Sequence, residues 1–338
     1  MVPVYNCVLF LLFPAVALYG TRFYGRNEFA QTLFQREASL YWRGIAALMV
    51  VFAHLTIYLE EEGINVGPAV IFDWVGGMGV LLFFFVSGYG TTLSARKVDL
   101  KWLVNHILRL WIPVTLLRMI FYFGYKAADH AYDLKGFLLY AIGLDNPAWF
   151  VAVMLSIYVT VYIAKRFFSS HFLTALLVLN LLTSAIFLTC GLSPSWYNGH
   201  LVFVFGAWLA LNGPTVIPDM RKRWVMCLAI CVVVFIIFGF AFAKLKPRVI
   251  SAPLKLLAGV ALSMMVVLLS QKITVHGRTM CQIGTASLYL YIIHKSLYDI
   301  MGQKCFSLSP YFVAFSSIPI AMFFSFACVR IEKKFLKR

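Results

Sequence analysis

Residues 41–59 read YWRGIAALMVVFAHLTIYL, and this stretch decides the fold. It is long and apolar enough to cross a bilayer, which takes about 20 residues, and it nevertheless holds Arg43 and His54. An ionisable side chain in a span is disfavoured by roughly 2.5–3.5 kcal/mol on insertion scales, so two on one helix read as a functional site. Eleven helical steps of about 100° come to some 20° more than three full turns. Both side chains therefore lie on one stripe, about 16–17 Å apart along the axis. That stripe carries a permanent cation near one membrane face and an imidazole a little beyond mid-depth.

The rest of the chain has the same character. Of its 338 residues 62% are hydrophobic and 12% charged, with mean hydropathy +0.86, against about 45–50% and about 25% in soluble domains. The fold class is an all-α integral membrane protein. Runs of spanning length occupy 3–19, 41–59, 69–94, 103–123, 147–164, 171–189, 198–211, 224–243, 252–270, 283–301 and 310–330. The run at 198–211 is short and contains Gly206, so a re-entrant segment also fits it. Residues 1–20 lack the basic leader of a secretory signal and read as an uncleaved helix with its N-terminus outside.

The net charge of +16 does not point to nucleic acid, because the basic residues are spread over inter-helix loops without interleaved aromatics. They report topology. With the N-terminus outside and the C-terminus cytoplasmic, cytoplasmic segments hold 18 Lys and Arg, the opposite segments six, and the spans five. That follows the positive-inside rule and places the chain, as a multi-pass protein, in a cell membrane. Lys244, Lys246 and Arg248 are the exception, read as a solvated loop, a basic vestibule for an anionic acceptor, or a span miscounted nearby. The seven cysteines show no Cys-x-x-Cys, and packing explains Cys227 and Cys231 on one helix face better than a metal does.

Arg43 alone would be a snorkelling interfacial arginine; His54 on its stripe argues for a site. A neutral imidazole at that depth suits a general base. The next span, DWVGGMGVLLFFFVSGYGTTLSARK (73–97), has Gly76, Gly77 and Gly79 for close helix approach and Ser87-Gly88 near the depth of Arg43. A nucleophilic Ser87 would need a base beside it. Arg109 and Arg118 lie nine residues apart on the following span and so serve different depths, and guanidinium groups suit phosphate. Arg43, Arg109 and the nearby basic loop would attract a ligand with several phosphates. Trp149-Phe150 opens a later span, where an aromatic belt accounts for the tryptophan. In IGTASLYLYIIHKSLYD (283–299), Ser287, Tyr291 and His294 share one helical face.

These residues resemble the membrane acyltransferase-3 family of multi-span acyl-CoA-dependent enzymes. Arg43 and His54 match its Arg-x10-His. Phe83 to Tyr89 resemble its Phe-Phe-x-x-Ser-Gly-Phe, with Tyr89 in place of the last Phe. Arg109 to Pro113, Trp149-Phe150 and Ser287 to His294 resemble three later motifs, although Leu288 and Tyr289 depart from the last. The resemblance implies a bundle of about ten core helices over 41–338, with 1–40 as an extra N-terminal helix and connection. It implies transfer of an acyl group, usually acetyl from cytoplasmic acetyl-CoA, to a hydroxyl of a sugar, glycan or related extracytoplasmic acceptor, with no metal. Arg43, Arg109 and Arg118, with Ser87, would then hold the CoA donor, and the catalytic residues would be Arg43, His54 as the base, and His294. The competing class is a proton-coupled transporter of a small anionic solute, which buried charges also suit. Against it, no inverted repeat is visible, and the carboxylates near spans are few, Asp73 and Asp299 at span ends. The acceptor's identity and the oligomeric state are not encoded in any motif.

Overall fold

The computed structural model describes residues 10–335 apart from 12, 26, 31–33, 35, 69–71, 95–96, 127–132, 143–148, 246–247, 276–277 and 304–306. Residues 3–9 and 12 of the first expected span, Lys246 and the side chains of Asp73 and Arg248 lie outside the described residues.

Thirteen α-helices account for nearly all of the described structure, in the order α1 (Phe13–Leu18), α2 (Arg36–Glu61), α3 (Phe72–Ser94), α4 (Leu100–Tyr125), α5 (Leu134–Ile142), α6 (Trp149–Phe167), α7 (Phe172–Thr189), α8 (Pro194–Lys222), α9 (Trp224–Lys244), α10 (Arg248–Ser270), α11 (Arg278–Thr285), α12 (Ser287–Met301) and α13 (Pro310–Phe335). Nine of them are long and apolar enough to cross a membrane. The molecule is an all-α polytopic membrane protein. Helices suit this setting because each satisfies its own backbone where water is absent.

The connections alternate between two faces. On the near face, where α2 begins, the strands β1 (Thr21–Phe23) and β2 (Ile273–Val275) pair antiparallel. There Lys272 donates to the carbonyls of Gly25 (2.8 Å) and Glu28 (2.7 Å), and Arg221 donates to Gln271 and to the carbonyl of Ala30. On the far face Gln303 reaches the carbonyl of Gly124.

Helix α3 is the central post, packed against α2, α8 and α10. Lipid tails are as apolar as leucine, so close packing rather than water exclusion holds such helices together. Glycines make it possible. A Cβ on Gly88 would strike the Phe203 carbonyl, and one on Gly206 would strike the carbonyl of Phe85, so the α3–α8 crossing depends on both. Gly76 and Gly79 face Ala53 and the Ala46 carbonyl on α2. Between α2 and α11, Gly44 abuts the Met280 carbonyl and Gly284 that of Leu40.

Two expectations need correction. The weak run at 198–211 is the core of a 29-residue helix that runs through Pro214 and Pro218. Gly206 marks a helix crossing there rather than a re-entrant turn. The run at 283–301 is not one span: the chain leaves helical geometry at Ala286 (φ −90°, ψ 4°), which divides it into α11 and the 15-residue α12. In addition, α5 forms within the 124–146 connection and packs on α4.

Candidate active site

Helices α2 and α12 run side by side from the near face to the far face, and their polar residues meet at two levels. At the first level Arg43 Nη2 donates to Ser287 Oγ over 3.4 Å. The guanidinium also interacts electrostatically with the Tyr158 hydroxyl on α6. Tyr158 packs edge-on against Trp102 and His106 of α4, whose rings lie 4.0 Å apart, and Arg109 follows one turn later, exposed. Among the described residues no carboxylate forms an ion pair with Arg43. A cation set between helices without a counter-charge is suited to an anionic ligand.

At the second level His54 Nδ1 and His294 Nε2 are 2.7 Å apart, with ring planes 14° from parallel. The hydrogen bonds fix where the protons are. His294 Nδ1 lies 2.6 Å from the carbonyl of Leu290, which can only accept, so Nδ1 carries the proton. In neutral His294, Nε2 is then the acceptor, and His54 Nδ1–H donates to it. His54 is left with a bare lone pair on Nε2. His294 is wholly buried, whereas His54 forms part of the wall of a cavity of about 1010 Å³.

That cavity runs from His54 to the far face. Tyr291, Trp74, Trp149 and Lys255 line it, and Ser193 and Lys244 stand at its outer end. Trp149 therefore does more than sit in an aromatic belt. Its neighbour Phe150 fills the centre of the bundle between Phe84 and Tyr291, with ring centroids 5.1 Å from each. The Lys255 amine lies where Gly77 leaves room for it.

The remaining candidates are placed elsewhere. Arg118 is buried (6% exposed) beside α5, where its Nε donates to the Tyr140 carbonyl over 2.6 Å and its guanidinium covers the Tyr140 ring at 4.0 Å. Helix rise puts it about 13 Å beyond Arg109 toward the far face, near Tyr291. Ser87 is partly buried at the α3–α8 crossing, and among the described residues no histidine hydrogen-bonds to it. Lys295 points outward, paired with Asp299 at 2.8 Å. Tyr158 had drawn no notice in the sequence, where it is one tyrosine in an apolar run; only the packing of α6 against α4 brings it to Arg43.

Compared with protein-family models, residues 40–330 match the acyltransferase-3 model, described as an acyltransferase domain. Searches of the curated proteins and of the solved structures found no match.

Proposed function

Since this chain belongs to the acyltransferase-3 family and is thus a membrane acyltransferase, we propose that it moves an acetyl group from cytoplasmic acetyl-CoA to a hydroxyl of an extracytoplasmic glycan or related acceptor. The near face is then cytoplasmic, as the excess of basic residues there favours. The observation that carries this reading is the oriented His54–His294 pair at the inner end of a far-face cavity, on the same helical stripe as an Arg43 that has no counter-charge among the described residues.

Arg43 binds CoA phosphate, with Arg109 at the near-face approach, and the pantetheine arm follows the stripe inward over about 16–17 Å. The acceptor hydroxyl meets the thioester from the cavity. His54 Nε2 takes the hydroxyl proton as oxygen attacks the acyl carbon, so the C–O bond forms and the C–S bond breaks. The proton then passes to the departing thiolate, which leaves as the free thiol of CoA. His294 is a positioning residue: it accepts from His54 Nδ1–H and fixes the tautomer that exposes the base. Arg118 braces the far-face side of the site through Tyr140.

The test is binding and turnover of acetyl-CoA by purified protein in nanodiscs. Arg43→Ala is expected to lose binding. His54→Ala should keep it and lose turnover by about 10²- to 10⁴-fold, the usual worth of general base catalysis. Full activity in His54→Ala would reject the assignment.

A further inference from the structure

The cavity beside His54 has a wall that belongs to two environments at once. Phe235, Ile236 and Phe240 of α9 line it, yet Ile236 is 58% and Phe240 63% exposed. Helix α9 is apolar throughout, packs chiefly on α10, and keeps little of its length buried. Exposure on such a helix is exposure to lipid. On this side the cavity is therefore separated from the bilayer by little more than the side chains of residues one turn apart.

This thin wall has a defined sill and a defined depth. Trp74 of α3 lies tilted against Phe235 with ring centroids 5.7 Å apart and fits against Gly239, where a Cβ would lie 3.2 Å from its ring. Ile236 is eight residues, about 12 Å, below Lys244 at the end of α9. Lys244 is exposed, with its amine 5.6 Å from the Phe240 ring. Hydrocarbon contacts thus lead upward to a cation at the depth of lipid headgroups.

We propose that the acyl acceptor is carried on a lipid: an amphiphile with a phosphate-bearing, hydroxylated head, which slides sideways from the far leaflet past Ile236 and Phe240. Its tail stays against α9, its phosphate lies by Lys244, and its hydroxyl reaches His54. This rests on the far-face cavity being the acceptor side of the transferase. A soluble acceptor would have no use for an apolar wall facing lipid at that depth, whereas a lipid keeps its tail against α9 while its head enters the cavity.

Photoactivatable phosphatidylglycerol in nanodiscs tests the proposal, with phosphatidylcholine bearing the same tails as comparison. Cross-links are expected at the cavity-lining residues of α9 and α10, favouring phosphatidylglycerol by about fivefold, the worth of one lysine near an anionic lipid surface. Lys244→Gln should abolish that preference, and Ile236→Trp should suppress cavity cross-links for both lipids. Free glycerol 1-phosphate should not compete. Competition by glycerol 1-phosphate, or cavity labelling indifferent to Ile236→Trp, would overturn lateral admission, and equal labelling by the two lipids would overturn the anionic head. Acetyl-CoA binding is measured on the same samples. Its retention shows that the variants are folded, and its absence in wild type would reject the transferase reading while the labelling result stood on its own.

Discussion

At the scale of single residues, the site depends on one hydrogen bond whose direction follows from another. The Leu290 carbonyl commits the His294 proton to Nδ1, and that choice exposes the His54 lone pair on Nε2. His294→Ala is expected to lower kcat about 10- to 100-fold, as loss of an imidazole's orienting partner does elsewhere, with KM for acetyl-CoA unchanged and the pH profile of kcat displaced. His294→Gln, whose amide oxygen still accepts from His54 Nδ1–H, should recover part of the loss, and equal rates in all three proteins would refute a positioning role. Arg43 and His54 were legible in the sequence because charge in an apolar run is conspicuous. Their pairing with Ser287 and His294 was not, since those residues lie more than 230 positions away and only packing brings them across. Arg118 was legible as a buried cation but not as a partner of Tyr140, because α5 has no clear signal within a connection that reads as loop.

At the scale of elements, small residues decide how closely helices approach, and they conceal spans from a hydropathy reading. Gly206 and the polar residues around it shortened the apparent run at 198–211, although Gly206 is what lets the 29-residue α8 lie on α3. The opposite error arises at 283–301, where apolar continuity hides the break at Ala286. That break turns α11 across the start of α2, with Gly44 and Gly284 in contact, and delivers α12 alongside α2 with His294 at the level of His54. A pair of α3 variants tests the role of the crossing. Gly88→Ala forces a methyl into the Phe203 carbonyl and should destabilise the protein by about 1–3 kcal/mol, the usual cost of overpacking. Gly90→Ala, two residues on with open space around it, should leave the thermal unfolding temperature unchanged or slightly raised. Similar losses in both would mean that the α3–α8 contact carries no special constraint.

At the scale of the whole molecule, the near face is tied together by the residue 20–30 segment, which the sequence presents only as a basic connection. Lys272 holds two of its carbonyls and lies 3.9 Å from the Phe29 ring. Hydrogen bonds from a charged donor are worth about 1.5–3 kcal/mol, so Lys272→Ala should lower the unfolding temperature in detergent while acetyl-CoA turnover at low temperature persists. An unchanged unfolding temperature would show the strap to be incidental. The stripe on α2, with Arg43 toward one face and His54 toward the other, also sets the electrical character of the proposed cycle. An acyl group travels toward the far side as the equivalent of a cation, while the hydroxyl proton travels back to the thiolate, so the two displacements cancel. A voltage worth about 2.3 kcal/mol per elementary charge per 100 mV then performs no work on turnover. Proteoliposomes clamped by potassium gradients at either polarity are expected to acetylate at the same rate, and a marked polarity dependence would mean that the proton leaves by another route. On this account the thioester alone powers the chemistry, and a cell with a collapsed membrane potential keeps its modification machinery running.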